Sequence, residues 1–230
     1  MPFELNRVVP WGRSYDEYVR MFDLRDEQLG QRILGCADGP AAFNVELTHR
    51  GGQIMSCDPL YGYSPTEIQA RIDECFELVL RQTRNNADGF VWSETIPSVE
   101  ALGEIRRQAM DAFLKDLPIG RSAGRYVAAE LPDLPFRDGA FDLALCSHFL
   151  FPYDTLGLDF HRQSVASLLR VAQEVRIFPL LTLDRRLSPY LNQVVQMAES
   201  IGCTADVVPT NYEFQRGANR MLVLRNVVAR

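Results

Sequence analysis

Short apolar runs alternating with amphipathic stretches constrain this chain more than any other feature. Arg32-Ile-Leu-Gly-Cys36 and Gln53-Ile-Met-Ser-Cys57 have the pattern of strands covered on both faces. Between them, Phe43 and Leu47 mark a helix that Gly51-Gly52 closes. Strand character returns at residues 125–129, 141–146, 175–178, 203–209 and 220–227. Ser14-Tyr-Asp-Glu17 and Ser64-Pro-Thr-Glu67 have capping-box spacing and predict helix starts, the first helix running to about Leu24. Further helices are predicted over roughly 98–116, from an Asp159 cap to Val171, and from Ser188 to Gly202 with Leu191, Val194, Ala198 and Ile201 inward. About seven strands with helices between them read as a three-layer α/β domain, and two closing strands without a helix imply an antiparallel edge pair.

The chain reads as one domain over residues 1–230, with an N-terminal segment (1–29) before the first strand and a helical insert (60–120) after the second. That insert is longer than an ordinary βαβ crossover, so its helices need a partner surface. Candidates, in order, are the sheet, a neighbouring subunit and the N-terminal segment. No apolar run reaches membrane-spanning length and the first residues lack a signal-peptide core, so a cytoplasmic protein is expected. A net charge of −6 without a basic block speaks against DNA as a partner. Five cysteines without a CxxC pair read as buried thiols, and no metal site is expected.

Three candidates for a nucleotide-like site occur in order. Gly35-Cys-Ala37-Asp38-Gly39 lies between the first strand and its helix, where a tight turn lets a ligand approach the backbone. Asp58 ends the second strand nineteen residues after Gly39, near the spacing of a ribose-binding acid. Glu130 and Leu131 end the third strand, where a base would lie. Each alone has a plain alternative: any tight βα turn favours glycine, Asp58 can cap a turn before Pro59, and Glu130 can be a solvated strand end.

Leu134-Pro-Phe-Arg-Asp-Gly-Ala-Phe-Asp-Leu-Ala-Leu-Cys-Ser-His148 resembles the post-glycine motif of class I methyltransferases that use S-adenosylmethionine. With the glycine turn and Asp58, the resemblance covers roughly residues 30–60 and 125–180. It implies a Rossmann-like seven-stranded sheet whose last strand is antiparallel, with the cofactor across the carboxyl ends of the first strands. It further implies Gly35, Ala37 and Gly39 beside the methionine moiety, Asp58 on the ribose, Glu130 and Leu131 beside the adenine, and Cys146, Ser147 and His148 beside the sulfonium. Two positions depart from the family. Ile33 stands where an acid is frequent, with Asp38 as its candidate replacement, and Ala37 replaces the middle glycine. Residues 146–151, 176–181 and 212–223 also resemble a subset of uncharacterised bacterial methyltransferase-like proteins.

Methyl transfer needs alignment, exclusion of water and sometimes a base, so few residues are compulsory. His148 is the candidate base; the alternative is a histidine that only packs or donates one hydrogen bond. Two segments could form an acceptor's walls: the N-terminal Trp11-Gly-Arg-Ser-Tyr15 with Tyr18, as a possible lid, and the insert. Tyr15, Tyr18 and Tyr153, after the fourth strand, are candidate contacts to a small-molecule acceptor, which suits such walls better than protein or RNA. Competing readings are a catalytically silent scaffold, which Ile33 and Ala37 would suit, and an NAD(P)-binding oxidoreductase, whose G-x-G-x-x-G spacing is absent.

Overall fold

The computed structural model describes residues 9–227; residues 1–8 of the N-terminal segment lie outside them. Ser14 caps helix α1 (Tyr15–Met21) through the predicted capping box, its Oγ accepting from the Glu17 N–H while the Glu17 carboxylate accepts from the Ser14 N–H. A single turn, α2 (Asp26–Leu29), follows, with no side-chain cap and no buried residue to announce it in the sequence. Strands β1 (Arg32–Cys36) and β2 (Gln53–Cys57) flank α3 (Phe43–His49).

A 3₁₀ turn over Pro59–Gly62 leads into the insert, α4 (Pro65–Asn85) and α5 (Val99–Ser122). Helix α5 passes its predicted end at 116 and includes Pro118. Proline removes one backbone donor, but burial of Leu117 and the close seat of Gly120 on the Tyr126 ring hold the last turns. Helix α4 packs on α5, and α5 reaches α3 and β3 (Tyr126–Val127), a strand shorter than predicted. The insert therefore finds its partner surface within this chain.

The remaining elements are β4 (Phe141–Ser147), α6 (Leu158–Val171), β5 (Ala172–Phe178), α7 (Leu191–Ser200), β6 (Cys203–Pro209) and β7 (Arg220–Asn226). Three expectations need correction. Helix α7 opens at Leu191 after Tyr190, with Ser188 outside the helix and its Oγ accepting from Tyr190 N–H. Gly157, with φ +82°, caps α6, and Asp159 lies inside its first turn, where a carboxylate suits the helix dipole without capping. Ile201 is 54% exposed, because α7 ends at Ser200 and the inward periodicity ends with it.

The sheet order is β3-β2-β1-β4-β5-β7-β6, with β7 antiparallel to both its neighbours and the other pairings parallel. This is the Rossmann-like sheet that the resemblance implies, with the chain's direction of winding reversing between β1 and β4. Strand side chains alternate between two apolar layers. Leu34, Ala144, Val175 and Leu222 face α6 and α7, while Ile33, Leu143, Leu145 and Val223 face α1 and α3.

One buried ionic cluster joins distant parts of the chain. The guanidinium of Arg106 in α5 grips the Glu17 carboxylate of α1 at both oxygens, and the Tyr212 hydroxyl donates to Glu17 Oε1 at 2.8 Å. Both charged side chains are 1% exposed. Burial alone would raise the Glu17 carboxyl, but Arg106, Arg13 and Ser14 together hold it at about 2, below its ordinary 4.5. Removing one partner of such a pair strands a buried charge. Arg106→Met should therefore lose about 3–5 kcal/mol of stability at pH 7 in urea unfolding. Because the folded carboxyl titrates below the unfolded one, its contribution is present above pH 4.5 and is lost as pH falls toward 2. That acid-induced loss should be smaller in the variant, and equal losses in the two proteins would refute the assignment.

Candidate active site

In an open α/β sheet, ligands bind beyond the carboxyl ends of the strands where the winding reverses. Here β1, β2 and β4 end level with one another, since Cys36 pairs with both Cys57 and Cys146. A cavity of about 830 Å³ opens over these ends, within the range of small-molecule and cofactor sites. Ala37 and His148, the residues just after β1 and β4, both have φ +55°. Left-handed backbone is disfavoured for side chains other than glycine, and the two strained residues lie at adjacent strand ends, lining the cavity.

Asp58 organises the floor. Its Oδ1 accepts from Leu60 N–H at 2.8 Å, capping the 3₁₀ turn, and its Oδ2 accepts from Gly39 N–H at 3.0 Å. The capping role and the proximity to the glycine turn are therefore both present. Burial raises its carboxyl above the ordinary value, against the pull of the two N–H donors. Gly39 has φ +54°, and a side chain there would meet nothing within 4 Å, so the backbone faces open space. Tyr61 steadies the turn by donating its hydroxyl to Gly39 O at 2.9 Å.

Asp38 is turned inward. It accepts from the Tyr18 hydroxyl at 2.8 Å and from Ser56 Oγ at 2.7 Å, and Asn44 donates to Ser56 in turn. Desolvation lifts its carboxyl to about 6 despite these donors. Tyr18 is 1% exposed and stacks on Phe43 at 4.6 Å, so the carboxylate is held from α1, α3 and β2 together.

Ala37, Asp38, Gly39, Asp58, Glu130, Leu131, Ser147 and His148 all line the cavity, as do Tyr18 and Tyr153. Three predicted residues do not. Cys146 is fully buried in the layer beneath α6 and α7, because alternation along β4 turns it away from the cavity. Tyr15 stacks on Phe43 at 5.5 Å under Arg50, outside the cavity. Gly35 packs against Asp38 beneath the lining: a Cβ there would lie 1.7 Å from Asp38 Oδ2. Ile33, at the position where an acid is frequent, is wholly buried. His161 is also outside, its ring nitrogens 2.7 and 2.9 Å from the Gly157 and Leu150 carbonyls.

His148 Nδ1 lies 2.9 Å from Ser147 Oγ, and its ring packs edge-on against Phe178. Burial, then the field of Arg13 and Arg106, pushes its pKa well below 6.5. The imidazole is thus neutral near pH 7, with a lone pair available but a weakened affinity for protons.

The far wall comes from the insert, whose partner there has no signal in the sequence. Phe90, in the insert, stacks on Phe214 at 4.8 Å, and Val91 N–H donates to Phe214 O at 2.8 Å. These residues are more than 120 positions apart, and only tertiary pairing brings them together. Trp11 and Arg13 of the N-terminal segment complete the lining.

Fold and crevice together define a Rossmann-like domain with a nucleotide-sized site at its switch point. No known family profile matches the chain. It is 32% identical over 223 residues to the uncharacterized protein MJ0045 of Methanocaldococcus jannaschii, covering 96% of this chain and 97% of that one, and it belongs to that protein's family. That relative is archaeal, so the resemblance to a bacterial subset is not confirmed. Among solved structures, it resembles magnesium protoporphyrin IX methyltransferase from Synechocystis PCC 6803 with bound SAM, at 13% identity and TM-score 0.48, over 92% of this chain and 77% of that one. A proposed S-adenosyl-L-methionine-dependent methyltransferase from Methanococcus maripaludis matches at 9% identity and TM-score 0.48, over 94% of this chain and 84% of that one. The fold assignment rests on the strand order above.

Gly35→Ala should cost about 1–3 kcal/mol, as overpacking against Asp38 does. In an Asp38→Ala background the same change should cost much less, a coupling that a double-mutant cycle reads directly. Equal costs in both backgrounds would show that Gly35 answers to something else.

Proposed function

We propose that this chain transfers a methyl group from S-adenosylmethionine to a small-molecule acceptor. The observation that carries this reading is the Asp58 carboxylate tied to the Gly39 N–H beneath open space. A carboxylate has about four acceptor directions, and the backbone occupies two of them here. The others suit the hydroxyl pair of a ribose, and the missing side chain of Gly39 leaves room for the sugar. Ala129, Glu130 and Leu131 offer a mixed apolar and polar edge for a base. The run Leu134–His148 supports the same reading.

When bound, the cofactor supplies an activated methyl group on a sulfonium. This chain's residues then hold the nucleoside, exclude water and orient the acceptor. Ser147 orients the His148 ring, and the neutral imidazole takes the acceptor's proton. Residues 9–11, Arg13 and the Phe90–Phe214 pair wall the site, and in this reading the described part of the N-terminal segment serves as a lid. The apolar walls favour a small acceptor over protein or RNA, and the net charge of −6 disfavours DNA. Five buried, unpaired thiols fit a cytoplasmic, reducing compartment.

Calorimetry with S-adenosylmethionine, S-adenosylhomocysteine and NAD tests the cofactor. Both adenosyl compounds should bind and NAD should not; binding of NAD alone, or of nothing, would overturn the proposal. Asp58→Ala should weaken S-adenosylhomocysteine about 10- to 100-fold, as loss of hydrogen bonds to a charged group does. Asp58→Asn, which retains an acceptor oxygen for the cap, separates that loss from unfolding.

His148→Gln should leave cofactor affinity within about twofold while lowering kcat by about 10²–10⁴. A parallel loss of binding, or an unchanged kcat, would remove His148 from the role of base.

A further inference from the structure

The cavity contains a guanidinium that no carboxylate among the described residues binds directly. Arg13 lines it, and its Nη1 donates to the Trp11 carbonyl at 3.2 Å. Its Nε is buried with no hydrogen-bond partner. No carboxylate oxygen among the described residues comes within ion-pairing distance of this guanidinium. Glu17 is already gripped by Arg106 and Tyr212. Asp38 is held by Tyr18 and Ser56, and Asp58 by Gly39 and Leu60.

Two cations, Arg13 and Arg106, face each other here, and the nearby Glu17 carboxylate directs its hydrogen bonds to Arg106 and Tyr212. Tyr212, Tyr18, Tyr153 and His148 are neutral, burial holding the phenols protonated and the imidazole unprotonated. Arg13 is left without a direct ion pair to any described carboxylate. Burial and the neighbouring Arg106 both work against the charged form of Arg13. Arg13 is half-buried with an unpartnered Nε, and a guanidinium facing a carboxylate or phosphate makes strong, directional, charge-assisted hydrogen bonds. The Arg13 backbone is fixed as well. Its carbonyl accepts from Ala42 N–H at 2.9 Å, and Gly12 lies so close to Pro40 that a Cβ there would be 2.0 Å from the Pro40 carbonyl oxygen. The cation is thereby anchored beside the turn that holds Ala37 to Gly39.

We propose that Arg13 is an oxyanion receptor, taking a carboxylate or phosphate that a ligand brings into the cavity. The source of that anion rests on the methyltransferase reading: either the amino-acid tail of the nucleoside cofactor or an acidic group on the acceptor. The receptor itself follows from the unpaired guanidinium.

The test uses the full chain as wild type, Arg13→Gln and Arg13→Lys. S-adenosylhomocysteine and methylthioadenosine, which lacks the amino-acid tail, are titrated into each. Benzoate and inorganic phosphate are titrated into the free protein and into its S-adenosylhomocysteine complex. If Arg13→Gln weakens S-adenosylhomocysteine at least about 10-fold and leaves methylthioadenosine unchanged, the anion is the cofactor's. If nucleoside affinity is unchanged but binding of benzoate or phosphate is lost, the anion belongs to the acceptor. Arg13→Lys, which keeps the charge, should retain part of either effect and serves if the glutamine variant fails to fold. Variants that bind all four probes as the wild type does would overturn the receptor, as would a wild type that binds neither an anion nor a tail-dependent nucleoside. Failure of both nucleosides with anion binding intact would sink the methyltransferase reading alone.

Discussion

The Asp58 carboxylate joins the end of one parallel strand to the turn after its neighbour, and the crevice depends on that tie. It forms only because β1 and β2 run in register, with Cys36 opposite Cys57. Ala37 N–H then continues the ladder by donating to Cys57 O at 2.9 Å. From there the chain needs a left-handed residue at Ala37 and another at Gly39 to turn away before α3. Alanine tolerates that backbone less well than glycine does. Asp58 and Tyr61 hold the turn from outside by binding the N–H and the carbonyl of Gly39.

The two carboxylates at this turn have separate duties. Asp58 faces the cavity and keeps acceptor capacity in reserve, while Asp38 points into the protein and anchors Tyr18. Through Tyr18 the turn is coupled to α1, and through Glu17 and Arg106 α1 is coupled to the insert. A side chain filling the space at Gly35 would therefore disturb more than the turn. The cavity's walls come from the N-terminal segment, the insert and the loop before β7, each tied to the others by buried polar contacts rather than by the sheet.

Strand and helix placement was legible where local chemistry is decisive. Ser14 and Ser64 announce their helices because a capping box is satisfied within four residues, and β1, β2 and β4 are apolar enough to read as buried strands. The ends of α5 and α7 were less legible, since tertiary burial overrides Pro118 and the stop at Ser200 precedes the glycine. In the site, Asp58 was legible from spacing. The real reason for Gly35 was not, because it lies in the rotamer of Asp38. Cys146 and Tyr15 point away from the cavity, an orientation that chain position alone does not reveal. The segments holding Arg13 and Phe90 read as walls, but the roles of Arg13 and Arg106 and the pairing of Phe90 with Phe214 were illegible because each depends on partners far away in sequence.

The central claim is that a nucleoside lies over the turn from Ala37 to Gly39 with its sugar on Asp58. A crystal structure of the chain soaked with S-adenosylhomocysteine tests it most directly. The ribose hydroxyls should lie within hydrogen-bonding distance of the Asp58 carboxylate, with the base against Leu131. A nucleoside bound elsewhere, or one in this cavity whose sugar avoids Asp58, would contradict the account.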